Sequence, residues 1–295
     1  MRTFAAAWLL APAMALAAAP QSGLWWNPNE SGRGYALDAQ GGTLVVTTFA
    51  YGPDGRMQWY YADGPLLSGG ASWSGTLLKF DLGQPLSGAY RAPTLSGNDG
   101  AVSISFASRS TGTMTIGGRQ IPIQRQNFAV GNAPQSLLGS WLYGYSIGTS
   151  TFAERFDYTA ITSPTSSGTG VVIDSGRRGT AELQVTGTFA GRVVAFQFNA
   201  AGSAINQYYY TQYLEEGRGF WVSPTTFNEY GMNAYRFGSP QGIDKVALDE
   251  DGTLAAREGA GVMGRKAITL DELTALNPEL GTLAKAMWSR LSETR

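Results

Sequence analysis

The stretch from Thr43 to Tyr61 reads TLVVTTFAYGPDGRMQWYY and limits the fold more than any other. Its first half alternates. Val45, Thr47, Phe49 and Tyr51 fall on one face of an extended chain, and Leu44, Val46, Thr48 and Ala50 on the other. Gly52-Pro53-Asp54-Gly55 then supplies a tight reversal, because Asp-Gly provides the positive-φ residue that a hairpin needs. The chain returns with Met57, Trp59 and Tyr61 on one face and Gln58 and Tyr60 opposite. A period of two on both sides of a sharp turn excludes a helix here. Rings on both faces make exposed sheet edges hazardous, and closure into a small barrel is the economical way to remove them.

The same texture runs through most of the chain. Glycine is abundant, at 39 residues, aromatics reach 12% and charged residues only 15%, a balance that favours strands and turns over helices. Residues 20–130 divide into about eight candidate strands: 23–27, 33–39, 43–51, 56–63, 72–81, 101–108, 112–116 and 119–128. Asn98-Asp99-Gly100 and Gly117-Gly118 read as reversals. Gly131-Asn132-Ala133-Pro134-Gln135-Ser136 is a polar break. Residues 135–238 then give a second set of about eight: 140–147, 153–161, 168–174, 181–187, 193–198, 205–213, 219–222 and 232–237, with 163–169 a loop. Two echoes link the halves. Gly139-Ser140-Trp141 matches Gly23-Leu24-Trp25, and Phe196–Phe198 with Gln207–Tyr210 matches Phe49–Tyr51 with Gln58–Tyr61. The expectation is an all-β chain of two antiparallel meander barrels with a short C-terminal helical segment in residues 239–295. A two-sheet sandwich is the alternative for each half.

The opening Gly23-Leu24-Trp25-Trp26-Asn27-Pro28-Asn29-Glu30-Ser31-Gly32-Arg33-Gly34-Tyr35, the Phe49-Ala50-Tyr51 hairpin and the Trp59-Tyr60 strand resemble a module. That module recurs in secreted proteobacterial proteins of uncharacterised function, with a GxWWNPxESGxG opening, an FxYxxxG hairpin and a WY strand. The likeness is strongest over Gly23–Tyr61. It implies a secreted β-module and carries no activity with it.

Residues 1–19, MRTFAAAWLLAPAMALAAA, have a basic start, a short apolar run and small residues at the end. This is the pattern of a cleaved signal peptide, with the cut expected after Ala17 or Ala18, and the run is short for a membrane span. A periplasmic or secreted protein with no later transmembrane segment is expected. Cysteine and histidine are both absent. Thiolate chemistry, His-based triads and His or Cys metal sites are therefore excluded, leaving catalysis to carboxylates, Lys, Tyr, Ser or Thr. The net charge of −1 offers no field for nucleic acid.

Three C-terminal strings mimic motifs and fail on inspection. Gly259-Ala260-Gly261-Val262-Met263-Gly264 has the GxGxxG spacing without a βαβ frame. Extended to Lys266 it imitates a P-loop, but Arg265 and Lys266 replace the Lys and the Ser or Thr that magnesium needs. Asp249, Asp251, Gly252 and Glu258 fit a calcium loop whose first ligand position is Ala247. No cofactor or metal is expected. Two helices should close the chain. The first starts at the Thr269-x-x-Glu272 capping box. The second starts at Asn277-Pro278 and carries Leu280, Leu283, Ala284, Met287, Trp288 and Leu291 on one face, which should dock on a barrel or on a partner, the chain's own β-domain leading.

Function is less legible. The candidate ligand-contacting residues are Trp25, Trp26, Glu30, Arg33, Trp59, Tyr61, Tyr208 and Tyr210, as stacking platforms or as a Glu–Arg pair across the first turn. Trp25 and Trp26, being adjacent, should point to opposite faces. The leading expectation is a non-enzymatic binding or interaction protein for a glycan, a small hydrophobic ligand or a protein. A carboxylate-based polysaccharide hydrolase is the second, drawing on Glu154, Asp157, Asp174, Glu182, Glu215, Glu216 and Glu229. A structural envelope protein is the third.

Overall fold

The computed structural model describes residues 19–128, 130–176, 178–238 and 267–293. Residues 1–18 of the leader and the three motif-like strings between Ala247 and Lys266 lie outside the described residues. The chain divides between Gln126 and Asn127 into two compact units.

The first unit is a closed barrel of eight antiparallel strands in meander order. They are β1 (Gly23–Trp26), β2 (Gly34–Gln40), β3 (Thr43–Tyr51), β4 (Met57–Leu67), β5 (Ser72–Asp81), β6 (Thr94–Phe106), β7 (Thr111–Ile116) and β8 (Arg119–Arg125). Alternation decides what goes inside. Leu44, Val46 and Thr48 of β3 and Tyr60 and Ala62 of β4 point inward, with Trp25, Tyr35, Trp73, Ile104 and Met114 from neighbouring strands. The predicted reversal at Asn98-Asp99-Gly100 is instead part of β6. The β5–β6 ladder slips twice near it, between Thr76 and Leu78 and between Lys79 and Phe80. The turn-forming residues are absorbed as bulges, which bend a strand without ending it.

The second unit is also a closed barrel of eight antiparallel strands. They are β9 (Gly139–Ile147), β10 (Ser150–Ile161), β11 (Val172–Asp174), β12 (Gly179–Leu183), β13 (Val193–Phe198), β14 (Ala204–Tyr213), β15 (Glu216–Val222) and β16 (Glu229–Gly238). Its interior is a stack of rings: Trp141, Tyr143, Tyr145, Phe156, Tyr158, Tyr208, Tyr210 and Trp221. The reversal between β14 and β15 is tight. Tyr213 pairs directly with Glu216, and Leu214 takes a φ of 58°.

Both barrels are sealed by one device. The indole N–H of Trp25 donates to the Gln21 carbonyl at 3.0 Å, and that of Trp141 to the Leu137 carbonyl at 2.9 Å. Opposite each tryptophan on the last strand stands an arginine, Arg125 or Arg236. The first reaches the Ser22 carbonyl at 3.0 Å and the second the Leu138 carbonyl at 3.3 Å, each the residue before the glycine. Those glycines, Gly23 and Gly139, have φ of 126° and 110°. The Gly-x-Trp echo thus marks equivalent strands. The phenylalanine–tyrosine echo does not: it falls on the third and fourth strands of one barrel and the fifth and sixth of the other.

Two helices, α1 (Leu270–Leu276) and α2 (Pro278–Glu293), follow. The capping box forms as expected, with Thr269 accepting from the Glu272 N–H and the Glu272 carboxylate accepting from Thr269. Asn277 Oδ1 accepts from the Leu280 N–H at 3.1 Å. The apolar face of α2 lies on the outer side of the second barrel, where Leu280, Met287 and Leu291 join Val194, Phe196 and Phe198 in one core. Trp288 meets the Phe198 ring at 5.2 Å.

Candidate functional site

Strand register places the side chains that face outward from the first barrel. Trp26 lies opposite Gly34, Gly34 opposite Phe49, and Phe49 opposite Trp59. These four form one row across β1–β4. The next row holds Leu24, Ala36, Thr47 and Tyr61, and Tyr51 and Met57 pair above. Trp59 also stacks on Phe80 of β5, with ring centroids 6.1 Å apart and planes 18° from parallel. These side chains are presented to solvent: Phe49 is 43% exposed, Trp59 47%, Tyr51 58%, Leu24 46% and Met57 79%. Gly34 leaves a notch in the row, since a Cβ there would meet only the Trp25 carbonyl, at 3.8 Å.

The predicted residues separate against this face. Trp26, Trp59 and Tyr61 belong to it. Trp25 is buried inside the first barrel, edge-on to Phe106 at 5.8 Å. Tyr208 and Tyr210 are buried inside the second, where they meet the Tyr143 ring at 5.0 and 5.4 Å. None of these three presents a face to a ligand. Period two puts odd and even residues of one strand on opposite sides, and closure sends one set indoors. Glu30 and Arg33 do pair, at 2.5 Å, and Glu30 also holds Arg119, which opens β8. This trio ties the β1–β2 loop to the neighbouring strand at the end of the barrel where β3 and β4 turn.

Sequence reasoning did not single out Phe49, Tyr51, Met57 or Phe80 as site residues. The signal was present in the alternation of β3 and β4. What it lacked was the choice of which face lies outside.

At the same end, the Tyr60 hydroxyl donates to Asp99 at 2.7 Å, and Lys79 bonds Asp99 at 2.6 Å. Burial, reinforced by the Asp99 hydrogen bond, pushes the Tyr60 phenol up to about 12. Lys79, then Tyr60, holds Asp99 below the usual carboxylate range. Tyr35, inside the barrel, is raised by burial. Shallow troughs of about 530 and 560 Å³ lie on the outer side of β5–β7, sharing Ser74, Ser103 and Thr115. They are hydroxyl-lined and carry no exposed ring or carboxylate pair.

Neither a family model nor a curated protein matches the sequence. The site must be read from its own chemistry.

Three carboxylates of the second unit, Asp157, Asp174 and Glu182, are engaged structurally. Asp174 accepts from the backbone N–H of Asp157 at 2.7 Å and of Gly176 at 3.0 Å. Burial raises its pKa. Its neighbour Asp157 accepts from the Ser140 hydroxyl at 2.5 Å and from Arg155 at 3.1 Å. Glu182 is buried and takes bonds from the Thr165 N–H at 3.0 Å, the Gly170 N–H at 2.9 Å and Gln184 at 3.0 Å. These acids staple strands and loops. Among the described residues, no group of three or more carboxylates is placed to hold a metal ion.

Proposed function

We propose that the protein is an exported binding module, periplasmic or secreted, that works through the outer aromatic face of its first barrel. The carrying observation is the exposed pair Phe49–Trp59, with half-buried Phe80 stacked on Trp59, bordered by exposed Tyr51, Met57 and Leu24 and half-buried Tyr61. Contiguous apolar surface on a folded domain favours a partner, because covering it removes ring area from water. Flat rings with open faces can stack on a sugar, a small hydrophobic ligand or another protein. The leader pattern and the resemblance to a secreted module support export, and the lack of cysteine and histidine leaves out thiolate and imidazole chemistry.

Trp59 is both contact residue and reporter in this reading. Titration of the full chain with soluble glycans, with lipid vesicles and with an apolar fluorescent dye should give a saturable change in tryptophan emission for one class. Trp59→Ala, which is exposed and leaves the core intact, should weaken that binding about tenfold, the order expected for one lost ring contact. Silence across all three classes would count against the module.

A further inference from the structure

We infer that the loop joining β5 to β6, residues 82–93, is a membrane-contact loop whose apolar tip enters the interface of a lipid bilayer. The inference stands on other residues than the aromatic row and does not need the binding reading above.

The loop reads LGQPLSGAYRAP. Its large apolar side chains all face water: Leu82 is 65% exposed, Leu86 110% and Tyr90 81%. None of them joins the barrel core. The loop is held instead by its own polar bonds. The Gln84 side-chain amide donates to the Gly88 carbonyl at 3.2 Å, and its oxygen accepts from the Arg91 N–H at 2.7 Å. Arg91 Nε donates to the Gly83 carbonyl at 3.2 Å. These bonds place Leu86 at the apex. Leu82 carries a second cost. Its φ is 58°, in the left-handed region where glycine or asparagine sits easily and leucine does not. A leucine that is both strained and wet adds nothing to folding, and an outlier of that kind points to function.

The chemistry selects lipid. A tip of separate, protruding side chains encloses no ligand and offers no flat face for stacking, but a fluid layer closes around it. The loop carries no acid and a single cation, the exposed Arg91, which suits a lipid phosphate while the leucines reach the acyl boundary. Tyrosine is at home at the same depth, with its ring apolar and its hydroxyl wet. The surroundings continue this surface. Asp81, at the base of the loop, pairs with Thr94, and Phe80 pairs with the exposed Leu95. Trp59 stacks on Phe80, two residues along from Met57 on one strand and from Leu82 on the other. The loop therefore leaves the barrel at the end where β3 and β4 turn. Charges at that end are matched: Arg33 and Arg119 with Glu30, Arg56 with Asp54, and Lys79 with Asp99. Binding should come from apolar contact and depend little on salt.

Flotation of the full chain with phosphatidylcholine vesicles, with and without phosphatidylglycerol, tests this. The chain should float with both, about equally at low and high salt. Leu86→Ser and Tyr90→Ser should each weaken binding about tenfold, the order set by one apolar side chain withdrawn from the interface. Leu82→Asn should weaken it likewise while holding or raising the urea midpoint, since asparagine relaxes the positive φ. A residue that served the fold would lose stability instead. All three side chains are exposed, so folding is not at issue. A chain that ignores both vesicle types, or binding that is unchanged in all three variants or abolished by salt, overturns the inference. Concentration-dependent pairing of chains through Leu86 and Tyr90, without flotation, would give the loop to a second copy and overturn it as well.

Discussion

A single methyl group separates the two closure seams. A Cβ at Gly139 would lie 2.3 Å from the Gly238 carbonyl oxygen, whereas one at Gly23 would meet the Arg125 guanidinium at 2.5 Å. Backbone cannot move aside without breaking the last ladder of the barrel, but an arginine head can swing out. Both sites also carry the positive-φ penalty. Gly139→Ala should therefore cost more than about 2 kcal/mol and Gly23→Ala closer to about 1 kcal/mol. Urea unfolding of the two variants checks the order, and equal costs would refute the seam argument. Asp174 gives a residue-scale pH effect. Burial raises its folded pKa above the unfolded value, so the folded state holds the proton more tightly. Its contribution is greatest below the unfolded pKa, declines as pH rises from about 4 through the folded value, then levels off. Asp174→Asn should remove that slope in a pH series of unfolding midpoints, whatever it does to absolute stability.

At the scale of elements, the outer faces of the two barrels meet different fates. Phe196 and Phe198 of β13 are covered by α2, which returns a packed layer of Leu280, Met287 and Leu291. Leu291→Ala should cost about 2–5 kcal/mol, because a buried leucine leaves a cavity. Thr269→Ala, which removes the cap of α1, should cost only about 1 kcal/mol. Emission from Trp288 should shift red in the first variant as its contact with Phe198 loosens. An unchanged spectrum with normal stability would mean that α2 is not part of this core. Phe49 and Tyr51 of β3, by contrast, stay in solvent, which is why the binding reading rests on them.

Taken whole, the molecule holds several phenols whose ionisation burial opposes. Tyr143, Tyr158 and Tyr210 are held well above the usual tyrosine range by burial, and the Tyr143 hydroxyl lies 2.8 Å from that of Tyr210. Tyr60 is held up at about 12 in the first barrel. A raised folded pKa means that the protonated form belongs to the native state. The stability these groups contribute is complete below about pH 10 and is lost as pH rises through the folded values. Both barrels should unfold in alkali, with a phenolate absorbance rise that coincides with loss of the β signal. Tyrosines that titrate freely before unfolding would contradict the buried ring stack. Tyr210→Phe should move the second barrel's transition to higher pH.

The alternation of β3 and β4, the Asp-Gly turn, the Thr269 capping box and the apolar stripe of α2 are all local, and a chain read in order reveals them. Strand count, antiparallel order and the two helices followed from these. The bulged Asn98-Asp99-Gly100 did not, because whether a turn-prone triplet reverses or bends a strand depends on what the neighbouring ladder offers. The division of Trp25 from Trp26, and of Trp59 from Tyr60, was a matter of parity. Which parity went indoors was not, since both faces carry rings and only closure assigns an inside. Nor could the sequence align the phenylalanine–tyrosine echo with its proper strands, because pairing partners are distant in the chain. Periodicity lives in consecutive residues and is written in them. Burial is a property of the closed surface, and only the assembled barrel decides it.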